Sequence, residues 1–336
     1  MSAAISAGAQ PEEPLLVIRG LTVGLRTRSA VTPLVRGVDL DVYPGERVGM
    51  VGESGCGKSL TLLAVMGLLA TPPLEVLGGS VRFGDTELTG APERVLRGLR
   101  GRELAMIYQD PTTSLDPVQR VGAQVAEGLR AHGVSRAEAE QRVHAALAEV
   151  RLPDPVRTAR AYPHELSGGM RQRVMIAAAL AGNPRLLLAD EPTTALDVTI
   201  QREILRLVAR LQHARRLAVL WVTHDLGVAA QFAQRLAVMY AGRVVEEGST
   251  RAVFAAPQHP YTAALLAAIP SASGPRQELG QIPGVPPDPA RLPAGCSFEP
   301  RCPQAVPRCR TEDPALDPRP NGGMAACLVP PAEWNM

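Results

Sequence analysis

A glycine-rich stretch in the first fifth of the chain has the residue types and spacing of a phosphate-binding loop. Residues 52–59 fit the pattern G-x-x-x-x-G-K-S. Glycine lets the backbone curl so that successive N–H groups point inward, and the helix predicted from Lys58 adds the positive end of its dipole. Lys58, the only lysine of the chain, would neutralise phosphate charge, and the Ser59 hydroxyl would ligate Mg²⁺. The residues predicted to bind the nucleotide here are Gly52, Glu53, Ser54, Gly55, Cys56, Gly57, Lys58, Ser59 and Leu60.

Polar side chains follow three further apolar runs, each of which predicts a buried strand. Gln109, Asp190 and His224 occupy these positions, and Glu191 comes directly after Asp190. Because ligands bind at the carboxyl ends of parallel strands, we expect these side chains to lie near the phosphate loop. Asp190 would hold Mg²⁺, and Glu191 would act on a water in line with the terminal phosphate. The alternatives are that the carboxylates cap the next helix and that His224 is structural.

A second stretch suits anion binding at the start of a helix. Ser167 is a natural N-cap residue, and Gly168 and Gly169 would leave the first N–H groups of the helix accessible. A plain helix start would look similar. Beside a phosphate loop, however, a second anion-binding helix terminus is the stronger interpretation.

The pattern around these residues predicts an α/β fold of the P-loop NTPase class. Strict alternation at Val38, Leu40 and Val42 predicts an antiparallel β subdomain, and apolar residues at helical spacing predict a helical subdomain at about 112–180. We expect an ATPase domain over residues 15–268 and an irregular, proline-rich extension over residues 269–336. Residues 1–14 lack the features of a signal peptide and are predicted to be a disordered leader.

Composition excludes several classes of protein. The net charge of the 336 residues is +2, which gives no strong attraction to nucleic acid. No apolar run approaches the roughly 18 residues that a membrane helix needs. The chain is therefore expected in the cytoplasm, and any association with a membrane would come through partner proteins.

Four cysteines of the predicted extension suggest a metal site. Cys296, Cys302, Cys309 and Cys327 are spaced C-x5-C-x6-C-x17-C in a segment with too little apolar periodicity to build a core. Four thiolates suit a [4Fe–4S] cluster or tetrahedral zinc, and the absence of close C-x2-C pairs favours iron–sulfur. Free or disulfide-linked thiols are the third alternative.

In their order along the chain, these motifs resemble the ATPase subunit of an ABC transporter. The resemblance covers residues 15 to 268 and rests on the phosphate loop, on Gln109 and His224, and on the stretches 166–169, 188–191 and 195–197. A closer resemblance, to the oligopeptide and dipeptide import ATPases, rests on Tyr108-Gln109-Asp110-Pro111, Pro163-His164-Glu165-Leu166, His259-Pro260-Tyr261-Thr262 and the cysteine-containing tail.

The resemblance implies two ATPs sandwiched between two ATPase domains. Ser167, Gly168 and Gly169 of one domain would close over the terminal phosphate held by the other, and Asp197 would lie at the seam. Glu191 would be the general base, His224 would contact the terminal phosphate, and Gln109 would sense it and join Ser59 and Asp190 at the magnesium ion.

The resemblance also implies partners and a location. These are two transmembrane permease subunits, a second ATPase subunit that is a copy or a paralogue, and indirectly an extracytoplasmic solute-binding protein. The chain would sit at the cytoplasmic face of the cell membrane. Alternatives are an importer ATPase for another small solute, such as nickel or a glycan, a soluble ABC protein acting on nucleic acid or the ribosome, and a P-loop kinase. The chain departs from the usual pattern of the family at Leu25, which takes the place of the aromatic residue that stacks on adenine in relatives.

Overall fold

The computed structural model describes residues 13–110, 114–194, 196–269 and 282–334, which form two β-sheets with helices around them. Within these ranges the N-terminal sheet has four antiparallel strands in the order β2–β1–β4–β5. They are β1 (Leu16–Arg26), β2 (Val31–Val42), β4 (Leu74–Phe83) and β5 (Thr86–Glu87). Alternating apolar residues bury one face of this sheet, as the alternation in β2 predicted. Residues 1–12 of the predicted leader lie outside the described residues.

The larger sheet carries the strands that end near the phosphate loop. Its eight strands in the described ranges have the order β11–β12–β10–β9–β3–β8–β7–β6, and the five strands from β9 to β6 run parallel. Both faces are covered, which explains their nearly continuous apolar sequences. The strands are β3 (Arg47–Val51), β6 (Leu104–Ile107), β7 (Leu186–Asp190), β8 (Ala218–Thr223), β9 (Arg235–Tyr240), β10 (Arg243–Ser249), β11 (Asp317–Pro318) and β12 (Met324–Ala325).

Helices cover the parallel strands and form a separate lobe. The lobe consists of α3 to α6, which pack against one another between β6 and β7 in chain order. Among the described residues no helix combines the length and hydropathy needed to cross a bilayer. The helices are α1 (Lys58–Met66), α2 (Glu93–Leu99), α3 (Val121–Ala131), α4 (Arg136–Glu149), α5 (Pro155–Arg160), α6 (Gly168–Leu180), α7 (Val198–Arg215), α8 (Leu226–Phe232), α9 (Thr250–Ala255) and α10 (Pro260–Ala267).

The described residues form three hydrophobic clusters in the core. One joins the N-terminal sheet to one face of the parallel strands, and a second joins the opposite face to the helical lobe and to α7. A third cluster contains Tyr240, Tyr261 and Phe298, with Cys296 and Cys302 packed against it. The C-terminal residues are thus packed onto the larger sheet.

The C-terminal extension was expected to be irregular, and the helices among its described residues are four short 3₁₀ turns. It also adds β11 and β12 to the larger sheet, where Ala325 of β12 pairs with Glu246 of β10. These strands have two residues each, too few for a periodic pattern to reveal them in the sequence.

Candidate nucleotide-binding site

The phosphate loop connects β3 to α1 with the backbone geometry that its glycines permit. Gly55 and Gly57 have φ angles of 80° and 106°, a region that favours glycine. At Gly52, a Cβ atom would lie 2.2 Å from the carbonyl oxygen of Met239 on β9. Side chains at these three positions would strain the loop or collide with the sheet, so the structure explains why glycine stands at each of them.

The ammonium group of Lys58 lies inside the curl of the loop. The residue is buried, and its Nζ donates hydrogen bonds to the carbonyl oxygens of Gly52 at 2.8 Å and Glu53 at 2.9 Å. These bonds hold the ammonium group at the N-terminus of α1. The positive end of the helix dipole lies at the same place, so both attract an anion. The loop and Lys58 together provide a cradle of positive potential.

Two oxygen donors suited to Mg²⁺ lie side by side at the edge of the sheet. The Ser59 hydroxyl donates to Oδ1 of Asp190 at 2.8 Å. Burial is the main cause that raises the pKa of Asp190, the neighbouring Glu191 raises it further, and the Ser59 hydrogen bond opposes the shift. A divalent cation would compensate this desolvated carboxylate, and hard oxygen ligands are the ones that Mg²⁺ prefers. These residues therefore fit a magnesium ion.

Glu191 follows Asp190 in a left-handed backbone conformation, with a φ angle of 44°. Its Oε2 lies 2.8 Å from Nδ1 of His224 and accepts a hydrogen bond from Oγ1 of Thr194 at 3.0 Å. The Glu191 side chain is only 12% exposed, whereas His224 is half exposed. The carboxylate is therefore oriented by two neighbours. Sequence reasoning missed Thr194, although its position three residues after Glu191 in a turn was a usable signal.

Most of these residues line one cleft of about 420 Å³, a size typical of small-molecule sites. The structure thus brings together the phosphate loop and polar side chains that follow three different strands, as the parallel arrangement predicted. The cleft is lined by Ser54, Gly55, Gly57, Lys58, Ser59, Leu60, Gln109, Glu191, Thr194 and His224.

Other predicted site residues do not line this cleft. Ser167 caps α6 by accepting from the N–H of Met170 at 3.3 Å, and both Ser167 and Gly168 are exposed. Asp197 caps α7 through the N–H groups of Thr199 and Ile200. Within one chain, these residues remain separate from the phosphate loop.

Leu25, which the resemblance places at the adenine, is half-buried on β1 and pairs with Thr32 and Leu74. It is not among the residues that line the cleft. The position of the adenine therefore stays a prediction.

The four cysteines are near one another, but their arrangement is not that of a metal site. Among the described residues, no three or more His, Cys, Asp and Glu side chains are grouped closely enough to hold a metal ion. Burial raises the pKa of Cys296 to about 11 and that of Cys302 to about 12, and the nearby thiols add smaller increases. The described geometry therefore gives no support to the predicted [4Fe–4S] cluster or to the zinc alternative, and both stay predictions. The spacing of cysteines in sequence does not determine how their sulfur atoms converge.

Comparison with known families gives two matches along the chain. Residues 35–194 match the ABC transporter family, and residues 245–309 match the oligopeptide/dipeptide transporter C-terminal region. The second match extends from β10 across the extension as far as Cys309.

Three relatives resemble this chain over most of their length. The probable peptide ABC transporter ATP-binding protein y4tR of Sinorhizobium fredii is 50% identical over 93% of this chain and 94% of its own. The dipeptide transport ATP-binding protein DppD of Escherichia coli is 46% identical over 94% of this chain and 97% of its own. The oligopeptide transport ATP-binding protein OppD of Salmonella typhimurium is 46% identical over 96% of both chains.

Solved structures show the same fold. A dimeric ATP-binding cassette in a post-hydrolysis state, bound to ADP and Pi, aligns with a TM-score of 0.63 and 29% identity over 70% of this chain and 99% of its own. The cbiO1 protein of Clostridium perfringens, part of an ABC transporter complex, aligns with a TM-score of 0.62 and 26% identity. The alignment covers 73% of this chain and 92% of cbiO1. The chain has the phosphate loop and the Ser59–Asp190 pair, and it matches its named relatives over nearly their full length. It therefore belongs to the ATP-binding subunits of the ABC transporter family.

Proposed function

We propose that this protein binds and hydrolyses ATP to power the import of oligopeptides or dipeptides through a membrane ABC transporter. The observation that carries the proposal is the placement of Lys58, Ser59, Asp190 and Glu191 around the phosphate loop. The peptide class is supported by the match of residues 245–309 and by the named relatives. The alternative solutes, nickel and glycans, have no such support.

In this proposal each residue of the cleft has a separate task. The loop N–H groups and Lys58 bind the triphosphate, and Ser59, Asp190 and Gln109 hold Mg²⁺, which neutralises charge that develops on the phosphates. Glu191, oriented by its contacts, accepts the proton of the attacking water. His224 contacts the terminal phosphate.

We further propose that the active unit contains two ATPase chains. Ser167, Gly168 and Gly169 lie outside the chain's own cleft, which suits residues that complete the site of a second subunit. Asp197, which caps the helix after the Glu191 turn, would lie at the seam. The related cassette described above is itself dimeric. The second chain would be a copy or a paralogue.

The remaining partners follow from transport itself. Because no described helix could span a bilayer, the pathway for peptides would belong to two transmembrane permease subunits, and this subunit would bind them from the cytoplasmic face of the membrane. An extracytoplasmic solute-binding protein would deliver the peptide to the permeases.

Reconstitution tests this function. The protein is assembled with its partner ATPase and permeases in liposomes that enclose ATP, and the solute-binding protein is added outside. Uptake of labelled di- to pentapeptides is compared with uptake of nickel and of oligosaccharides. We expect peptide uptake that disappears when Lys58→Ala replaces the wild type. Uptake of nickel or a glycan without peptide uptake would contradict the peptide assignment, and ATP turnover by the assembled transporter without uptake of any solute would contradict the transport role.

A [4Fe–4S] cluster at the four cysteines is a separate proposal, supported by the donor set alone. The thiols of Cys296, Cys302, Cys309 and Cys327 are near enough to influence one another's pKa. Iron and sulfide analysis of protein purified without oxygen tests it. About four irons per chain would support the cluster, and iron-free protein would exclude it.

A further inference from the structure

An ion pair joins the C-terminal extension to the phosphate loop. Glu53, the second residue of the loop, faces Arg301, which lies 248 positions later in the chain. Arg301 Nη1 donates to Oε2 of Glu53 at 2.8 Å, and Nη2 donates to Oε1 at 2.9 Å. The two parallel hydrogen bonds form a bidentate pair, the strongest geometry available to arginine and a carboxylate. The side chains are only 6% and 23% exposed, so solvent screens this pair weakly.

The guanidinium group of Arg301 has further contacts that fix its position. Its Nε donates to the carbonyl oxygen of Pro283 at 2.9 Å, and Nη1 lies 3.3 Å from the hydroxyl of Tyr240. The guanidinium carbon lies 5.8 Å from the centre of the Tyr240 ring. The hydrogen bonds to Glu53 are the main cause that raises the pKa of Arg301, which keeps it charged.

The backbone of Glu53 is held from the same side. Its N–H donates to the hydroxyl of Tyr261 at 2.8 Å. Tyr261 is fully buried, with its ring centre 4.5 Å from that of Tyr240 and 5.4 Å from that of Phe298. Residues near and beyond the end of the ATPase core therefore hold both the side chain and the backbone of one loop residue.

Charge explains what this contact does for the site. A carboxylate in a loop that binds a triphosphate would repel the ligand unless a cation balanced it. We infer that Arg301 is a positioning residue for ATP binding, because it neutralises and fixes Glu53 within the phosphate loop. The C-terminal extension thus sets the affinity of the site for ATP. The inference rests on the ATP binding proposed above.

Substitution of Arg301 in the full-length chain tests this directly. We expect Arg301→Gln to raise the Kd for MgATP about tenfold or more, because an unpaired carboxylate then lies within the loop that binds the phosphates. Arg301→Lys keeps the charge but loses the bidentate geometry, so it should raise the Kd less than Arg301→Gln does. The matched control is Arg308→Gln, which breaks an exposed pair with Glu312 in the same extension and should leave the Kd unchanged.

The double variant Arg301→Gln/Glu53→Gln separates charge balance from folding of the extension. With no carboxylate left to balance, we expect the double variant to bind MgATP more tightly than Arg301→Gln does. A folded Arg301→Gln variant with wild-type affinity would overturn the inference, and so would a double variant that binds no better than Arg301→Gln. If Arg301→Gln does not fold, as judged by thermal unfolding, the affinity of the double variant decides. Wild-type protein that binds no ATP would refute the proposed function instead.

Discussion

The replacement of Glu191 by glutamine tests the chemistry of the cleft at one atom. Glutamine has the same length and keeps an oxygen that can accept the hydrogen bond from Thr194. It loses the negative charge next to His224 and the ability to take a proton from water. The shape of the cleft and the loop around Lys58 should remain, so binding and chemistry can be measured separately.

The size of the effect follows from what the carboxylate is proposed to do. Removal of a general base typically slows a reaction by about 10²- to 10⁴-fold. At about 1.36 kcal/mol for each factor of ten, this corresponds to an increase of roughly 3–5 kcal/mol in the activation barrier. Because Glu191 is largely buried and fixed by two neighbours, we expect the upper half of this range.

The assay compares ATP turnover of the assembled transporter with equilibrium binding of MgATP. Glu191→Gln should lose turnover and keep its Kd within about threefold, whereas Lys58→Ala should lose binding. Glu203→Gln is the matched control, because Glu203 is half exposed on α7 and pairs with Arg173 away from the cleft. Turnover of Glu191→Gln within a few-fold of the wild type would refute the assignment of Glu191 as the base.

Three further predictions concern other parts of the chain. Leu25→Tyr should tighten MgATP binding by about 0.5–1.5 kcal/mol through ring stacking, and unchanged affinity in calorimetry would place the adenine elsewhere. Burial lowers the pKa of His259 from 6.5 to about 3, so the unfolded chain takes up the proton first. The free energy of unfolding should therefore fall as pH drops below about 6.5, by at most about 1.4 kcal/mol per pH unit. Urea titrations at several pH values should show that the unfolding free energy of His259→Asn depends less steeply on pH. Arg235→Met should lower the free energy of unfolding by about 2–3 kcal/mol, because Glu46 and Glu247 then lose their partly buried partner. A loss below about 1 kcal/mol in urea titrations would contradict this.

Local patterns predicted the parts of the site that depend on neighbours in sequence. The phosphate loop was predicted by eight consecutive residues, and the helix start at Ser167 by its capping side chain. The proximity of Ser59 to Asp190 was also predictable, because parallel strands place their carboxyl ends at one edge.

Contacts between distant parts of the chain could not be predicted in this way. The Arg301–Glu53 pair joins residues that no periodic pattern relates, and the contact of Tyr261 with the loop depends on how α10 packs. The sequence gives no strand pattern for the first half of β4, because Leu74 to Ser80 contains two glycines and does not alternate. For the cysteines, the sequence supplied suitable donors but not their geometry.

The pairing of β12 with β10 has a consequence for how the protein behaves in a crowded cell. Without β11 and β12, the N–H and C=O groups along the outer side of β10 would face solvent, and the backbone bond from Ala326 to Val245 would be lost. An open strand edge can pair with the same edge of another molecule. A chain cut before residue 317 would therefore tend to self-associate through β10, so that the last twenty residues protect the folded protein against aggregation.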